Sequence, residues 1–197
     1  MEARKGFGCL ALLLLAGWTD EAWSQERLPP IVTVRIYNHA SLAPEVLVRA
    51  RDTVARVFRD TGIQVTWLEP SSEQPASQFA VRVIVRRNAD GFRGGSRVMG
   101  TTLGDEHEMG RAAYIFKDRV LQIAHKRHQD VAQVLGYAIA HEMGHVLLPR
   151  PAHTAQGIMR AEWSGDDLRH IASDAVRFTP AQAAQMRSKL AATGNGT

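Results

Sequence analysis

The strongest constraint in this sequence is the apolar segment 131–147, which contains two histidines four residues apart. Its length and composition predict a helix. At 3.6 residues per turn, His141 and His145 would lie one turn apart on the same face of that helix. Both imidazoles can then reach one ion, and neutral imidazole is a ligand that suits Zn²⁺. The segment therefore predicts part of a metal site.

Glu142 follows the first of these histidines, so its side chain points to an adjacent part of the same helix face. From there the carboxylate can contact a water bound to the metal rather than the metal itself. This is the H-E-x-x-H arrangement of zinc peptidases. The alternative is a buried helix whose polar residues satisfy one another.

A third ligand is needed, and His153 is the first candidate. The helix cannot continue through 148–151 (LPRP), because each proline lacks a donor and disfavours helical geometry in its predecessor. The chain must therefore turn sharply, which can bring His153 beneath the ion. Met159 follows closely and could form an apolar floor under the imidazoles, although alone it would more often be ordinary core.

Residues 1–24 are predicted to be a secretory signal peptide. Basic residues precede an apolar stretch at 7–16, and the small residues Ala22 and Ser24 follow in an A-x-S pattern. The stretch is short for a membrane span, so we expect cleavage near Ser24 and no stable membrane insertion afterwards. The predicted location is secreted or periplasmic; an uncleaved N-terminal anchor is the alternative.

The amino-acid composition excludes several classes of protein and of site. The chain is 45% hydrophobic over 197 residues, which excludes a disordered chain and suffices for one core. The one cysteine, Cys9, falls within the predicted signal peptide, so the mature chain would have no disulfide, thiolate metal site or cysteine nucleophile. A net charge of +4, spread along the chain, does not favour a nucleic-acid partner.

Periodicity predicts a mixed five-stranded sheet covered by helices, of the α+β or α/β class. The expected strands are 31–37, 63–69, 79–86, an edge-like 98–103, and 112–116. The expected helices are one capped by Ser41 and stopped at 61–62, two at about 118–127 and 131–147, and a last one capped by Thr179 with Pro180 in first position. We expect one domain over 25–197, with an N-terminal lobe at about 31–147 and an irregular C-terminal lobe at about 148–197.

Other candidate clusters are weaker. His125 and His128 lie in a polar helix end and are interpreted as solvated. The acidic segment 105–108 lacks the spacing of an EF-hand. We find no Ser-His-Asp arrangement and no phosphate-binding glycine motif.

Taken together, the H-E-x-x-H motif, the chain reversal, the third histidine and the nearby methionine resemble the metzincin metallopeptidases. The short distance from His153 to Met159 is most similar to the matrixin-type branch. The upstream order of elements also matches the N-terminal lobe of that clan, so the resemblance covers most of 31–160. The chain is similar as well to exported bacterial metzincin-like proteins, in A-Y-I-F at 113–116 and G-I-M-R-A-E-W at 157–163.

The resemblance implies roles for single residues. His141, His145 and His153 would bind zinc, Glu142 would be the catalytic base, and Met159 would be the turn methionine. It also implies an active-site helix at the cleft and a small C-terminal lobe that ends in a helix.

The chain departs from the clan after its second histidine. The clan has a Gly three residues after that histidine and its third His three residues further on. Here Leu148 and Pro151 occupy those places, and His153 comes two residues later. The loop that carries the third histidine is therefore longer than in the clan and is built on prolines.

The rival third ligand is a carboxylate from a following helix, as in thermolysin-like enzymes. The candidates are Glu162 first, then Asp166 or Asp167. We favour His153, because 160–170 lacks the regular apolar pattern that we expect of such a helix.

The resemblance implies an exported zinc endopeptidase that acts on a protein or peptide substrate. Three protein ligands leave the fourth zinc position for water, whose proton Glu142 would take. An extended peptide would pair with the edge strand at 98–103. The alternatives are a non-catalytic metzincin-like binding protein of the cell envelope and, more weakly, a hydrolase of non-peptide amides.

Overall fold

The computed structural model describes residues 28–92, 99–103 and 111–194. The predicted signal peptide and the acidic segment 105–108 lie outside the described residues. None of the helices among the described residues is both long enough and apolar enough to cross a bilayer.

Five strands form one mixed sheet, as predicted. They are β1 (Ile31–Asn38), β2 (Gln64–Leu68), β3 (Ala80–Arg86), β4 (Gly100–Leu103) and β5 (Ala112–Phe116). Their order across the sheet is β2-β1-β3-β5-β4. Only β4 runs antiparallel to its neighbour, and it forms an edge of the sheet.

The described residues also form five helices. They are α1 (Pro44–Arg59), α2 (Lys117–Arg127), α3 (Val131–Leu147), α4 (Gly165–Ala172) and α5 (Pro180–Gly194). The predicted fold class, a five-stranded sheet with covering helices, is confirmed. So are the expected bounds of α3, which carries the histidine pair.

The core lies between the sheet and the pair α1 and α3. Alternate residues of the central strands, such as Val34 in β1 and Val83 in β3, are buried there. Their neighbours in sequence point to the other face, as the period of two in a strand requires. The sheet therefore presents one apolar face to the helices.

Helix α3 is buried on nearly every side, since it packs against α1, α2, α4, α5 and the sheet. This explains why its sequence is apolar all round instead of amphipathic. Its N-terminus is capped by Asp130, whose side chain accepts from the Gln133 backbone N–H at 2.9 Å. It ends at Leu147, and the C-cap residue Leu148 is extended because Pro149 follows.

The prediction that Ser41 caps α1 is wrong. Ser41 has a φ of +52° and lies before the helix, whose N-cap is Ala43 without a side-chain bond. Pro44 sets the first helical residue instead. The side chain of Asn38 forms hydrogen bonds with the linker before α1. Its amide nitrogen donates to the Leu42 carbonyl at 2.9 Å, and its Oδ1 accepts from the Leu42 N–H at 3.0 Å.

The expectation of an irregular segment at 160–170 is also wrong, because α4 begins there. Ser164 and Asp167 form a capping box: the Asp167 N–H donates to Ser164 Oγ at 3.2 Å, and the Ser164 N–H donates to Asp167 Oδ2 at 2.7 Å. The cap of α5 agrees with the sequence, since the Gln182 N–H donates to Thr179 Oγ1 at 3.2 Å.

Candidate metal centre

Three histidines converge at the C-terminal half of α3. His141, His145 and His153 each offer a ring nitrogen, and these nitrogens lie within 4.8 Å of one another. The Nε2 atoms of His141 and His145 are 3.1 Å apart. Two nitrogens on a tetrahedral zinc are roughly 3.4 Å apart, so this spacing suits a shared ion. Within the described ranges, no other group of three His, Cys, Asp or Glu side chains could hold a metal.

The bend after α3 brings His153 to the other two imidazoles. Its ring centroid lies 4.6 Å from that of His145 and 5.5 Å from that of His141. Two hydrogen bonds hold the next residue, Thr154, in place. The Thr154 N–H donates to the Met159 carbonyl at 3.0 Å, and the buried Gln182 side chain donates to Thr154 Oγ1 at 3.2 Å. The loop that carries the exposed His153 is thus held by hydrogen bonds.

The orientation of His141 is set by the backbone of the C-terminal lobe. His141 Nδ1 lies 2.7 Å from the Ile158 carbonyl oxygen, which can only accept, so Nδ1 must carry the proton. The Nε2 lone pair is then left for a metal. Trp163 Nε1 donates to the same carbonyl at 3.3 Å, and its ring meets His141 edge-on at 5.9 Å between centroids.

Burial keeps the two helix histidines neutral. It lowers the pKa of His141 to about 4, against the opposing effect of the Ile158 hydrogen bond. It likewise lowers the pKa of His145 to about 4, with smaller contributions from the neighbouring histidines and from Arg150. Neutral imidazole is the form that binds a metal, so these two side chains are ready as ligands near neutral pH.

Met159 lies under the histidine-bearing turn of α3. It is fully buried, and its Sδ lies where a Cβ on Gly144 would be. Only glycine at position 144 leaves room for this contact. Met159 therefore packs against α3 at the residue before His145.

Glu142 is held between α3 and the sheet edge. Its residue is 6% exposed, and burial raises the pKa of its carboxyl to about 7. The Thr102 hydroxyl opposes this rise by donating to Glu142 Oε2 at 2.8 Å, and it also lies 3.1 Å from the Glu142 carbonyl oxygen. Gly100 leaves space for the carboxyl stem, since a Cβ there would be 2.7 Å from Glu142 Cγ.

Thr102 and Trp163 are site residues that the sequence reasoning missed. Thr102 lies forty residues before Glu142 in the chain and has no local motif to reveal it. Trp163 was visible as the last letter of G-I-M-R-A-E-W, but nothing in that string shows that its indole reaches the carbonyl bonded to His141.

The rival carboxylates are placed elsewhere. Asp167 caps α4 and pairs with Arg160 at 3.1 Å, and Asp166 pairs with Arg169. Glu162 is exposed and lines the same cleft, but it is not part of the three-donor cluster. Helix α4 therefore contributes no carboxylate to the histidine cluster.

The histidines and Glu142 open into a cleft of about 690 Å³. Its lining includes Met99 to Thr102 at the sheet edge and residues 160–163. The volume falls within the range of ordinary small-ligand sites. The ring nitrogens are thus accessible from solvent along an open groove.

Comparison with known proteins gives little beyond this geometry. No protein-family model matches the sequence, so the matrixin-like likeness stays an interpretation of the motif, and no curated protein is significantly similar. Among solved structures, the chain is similar to metalloproteinase-II from Bacteroides fragilis, with a TM-score of 0.49 and 13% identity. The match covers 82% of this chain and 53% of that one, so this chain spans about half the length of its neighbour.

The third ligand can be tested by metal affinity. We expect His153→Ala to weaken zinc binding by more than the roughly 10- to 100-fold that loss of an outer partner costs, because it removes one of three donors. Glu162→Gln is the matched control and should leave the affinity unchanged. Competition titration with a chromophoric chelator measures both. The reverse order of effects would assign the site to the carboxylate.

The protonation of His141 can be tested in the metal-free protein. We expect the Nδ1–H tautomer, with protonation near pH 4 in ¹⁵N imidazole spectra. Because the folded state binds this proton at lower pH than the unfolded chain does, acid should destabilise the fold progressively from about pH 6.5 down to pH 4. A midpoint near 6.5 would contradict the lowering of this pKa by burial, and an Nε2–H tautomer would contradict the assigned hydrogen bond.

Proposed function

We propose that this chain is a zinc-dependent endopeptidase. The observation that carries the proposal is the buried carboxyl of Glu142 next to three converging imidazoles in an open cleft. The cluster supplies ligands and the carboxyl supplies a base. Together they make up the minimal set for metal-assisted hydrolysis.

The residues present fit zinc. Three imidazole nitrogen donors, one with its tautomer set by a backbone carbonyl, are the kind of set that zinc takes in catalytic sites. His141, His145 and His153 would hold the ion. When bound, zinc supplies Lewis-acid polarisation of a carbonyl and lowers the pKa of water to about 7.

Glu142 is the group that moves the proton. Thr102 binds Oε2, which leaves Oε1 to accept a proton from the attacking water. The carboxyl then passes the proton to the nitrogen of the leaving amine, so the peptide bond breaks to an acid and an amine. The raised pKa, about 7 in the metal-free protein, is suited to both transfers near neutral pH.

The substrate backbone would pair with β4. This strand is at the edge of the sheet, and residues 99–102 line the cleft. An extended peptide can therefore add to the sheet as a further strand, with its carbonyl groups next to Glu142. The proposed partner is a protein or peptide.

The buried carboxyl also favours catalysis over the alternative of a non-catalytic binding protein. A carboxyl removed from water costs folding free energy unless it is compensated. A metal held only for structure needs no such group beside it. Glu142 has one hydrogen-bonding side chain, Thr102, and a pKa raised by burial, which is a typical arrangement for a functional acid or base.

Exchange of the base is the direct test of this proposal. Glu142→Gln keeps the shape of the side chain but cannot take a proton, so we expect zinc content to be retained and peptide hydrolysis to fall by about 10²- to 10⁴-fold. Thr102→Val removes only the positioning hydrogen bond, and a smaller loss of about tenfold is expected. The assay is cleavage of casein by the zinc-loaded protein, with chelator as a control. Full activity in Glu142→Gln would reject the base, and a zinc-loaded wild type that cleaves nothing would favour a binding role.

We also propose that the peptidase is exported and loses residues 1–24. The basic start, the apolar stretch and the A-x-S pattern support this. N-terminal sequencing of the protein recovered outside the cytoplasm should begin at Gln25 or within a few residues of it. An intact N-terminus on protein retained in the membrane would indicate an anchor instead.

A further inference from the structure

One face of α2 lines the cleft with basic side chains. Arg119, Lys126 and Arg127 all border the cleft, together with Ile123 between them. Ile123 is four residues from Arg119, three from Lys126 and four from Arg127, which puts them on one side of the helix. Two further cations, Arg150 from the proline bend and Arg160, complete the basic lining.

The charge is concentrated in the cleft and is not a property of the whole surface. The described lining residues include five arginines and lysines against two carboxylates, Glu142 and Glu162. The entire chain, by contrast, has 24 basic and 20 acidic residues. A groove lined by one sign of charge concentrates ligands of the opposite sign.

Four of the five cleft cations are available to a ligand. In the part of the chain that the structure describes, no carboxylate pairs with Arg119, Lys126, Arg127 or Arg150. Arg160, by comparison, already pairs with Asp167 at 3.1 Å. Arg119 and Lys126 can therefore bind an incoming anion without breaking an existing ion pair.

The cleft is apolar beneath the cations. Ala138 and Leu168 are buried at its base, and Ile123 and Trp163 are partly buried beside them. A ligand group that fits here has a short apolar stem and a negative end. A glutamate side chain has this character, whereas a phosphate backbone has no apolar portion to fill the base.

We propose that the cleft selects acidic peptides, with Arg119 and Lys126 as specificity-determining residues that bind a Glu or Asp side chain next to the cleaved bond. This inference rests on the proposed peptidase function, since it names the substrate class of the same site. The cationic face of α2 binds the carboxylate, and the base beneath it packs against the methylene stem.

The experiment compares cleavage of internally quenched peptides that differ in one residue. The set has an Ala-Leu centre and carries Glu, Gln or Lys at each of the three positions on either side. For the zinc-loaded wild type, kcat/KM should be about fivefold higher with Glu than with Gln at one or more positions, and lowest with Lys. The preference should shrink as salt is raised, because the contact is electrostatic.

Charge reversal on α2 tests whether Arg119 and Lys126 bind the acidic side chain of the substrate. Arg119→Glu and Lys126→Glu should each abolish the preference for Glu, and the double variant should prefer Lys. Arg87→Glu is the matched control: it makes the same charge change at an exposed residue outside the cleft, and it should keep the wild-type preference. Equal rates for Glu, Gln and Lys in the wild type, or an unchanged preference in the double variant, would overturn the inference.

Failure of the peptidase proposal would look different. If the wild type cleaves none of the peptides, the same set is measured for binding by fluorescence anisotropy. Tighter binding of the Glu peptides, lost in the double variant, would support the acidic specificity without catalysis. Equal binding of all three series would reject it.

Discussion

The hydrogen bond from His141 Nδ1 to the Ile158 carbonyl, at 2.7 Å, connects the two halves of this structure. It joins the buried central helix to the segment that follows the proline bend. The bond sets the tautomer of one imidazole, and the adjacent Met159 packs under the next turn of the helix against Gly144. The Ile158 carbonyl thus sets the orientation of His141 in the histidine cluster, although no sequence motif identifies this carbonyl.

The proposed hydrolysis also requires a carboxyl that is shielded from water and is not paired with a cation. Glu142 meets this requirement by lying between α3 and the edge strand, where Thr102 is its hydrogen-bonding side chain. Burial raises its pKa, and the hydroxyl limits the rise. The same edge strand that holds the carboxyl also borders the cleft, so proton transfer and substrate pairing would occur side by side.

Local periodicity predicted most of the fold. The five strands followed from apolar alternation, because burial of one face imposes a period of two, and α3 followed from the length and composition of its apolar segment. Helix α4 was missed because it is only eight residues long and begins with glycine, although its Ser164 and Asp167 capping pair was readable. The Ser41 cap failed because the Asn38 side chain bonds the linker before α1.

The site was predictable only where its residues are close in sequence. The motif on α3 gave two histidines and the carboxyl, but spacing alone left His153 and Glu162 both open. The structure brings His153 to the pair, and it uses Asp167 to cap α4. Thr102 could not be found, since a contact across forty residues depends on sheet order and helix packing.

In the proposed site, three imidazoles bind a zinc ion and leave one position free. Zinc K-edge X-ray absorption on the purified protein, loaded with one equivalent of metal, measures this coordination. We expect three imidazole nitrogens at about 2.0 to 2.1 Å and one exchangeable light-atom neighbour. Four protein donors, or a carboxylate in place of the third imidazole, would contradict it.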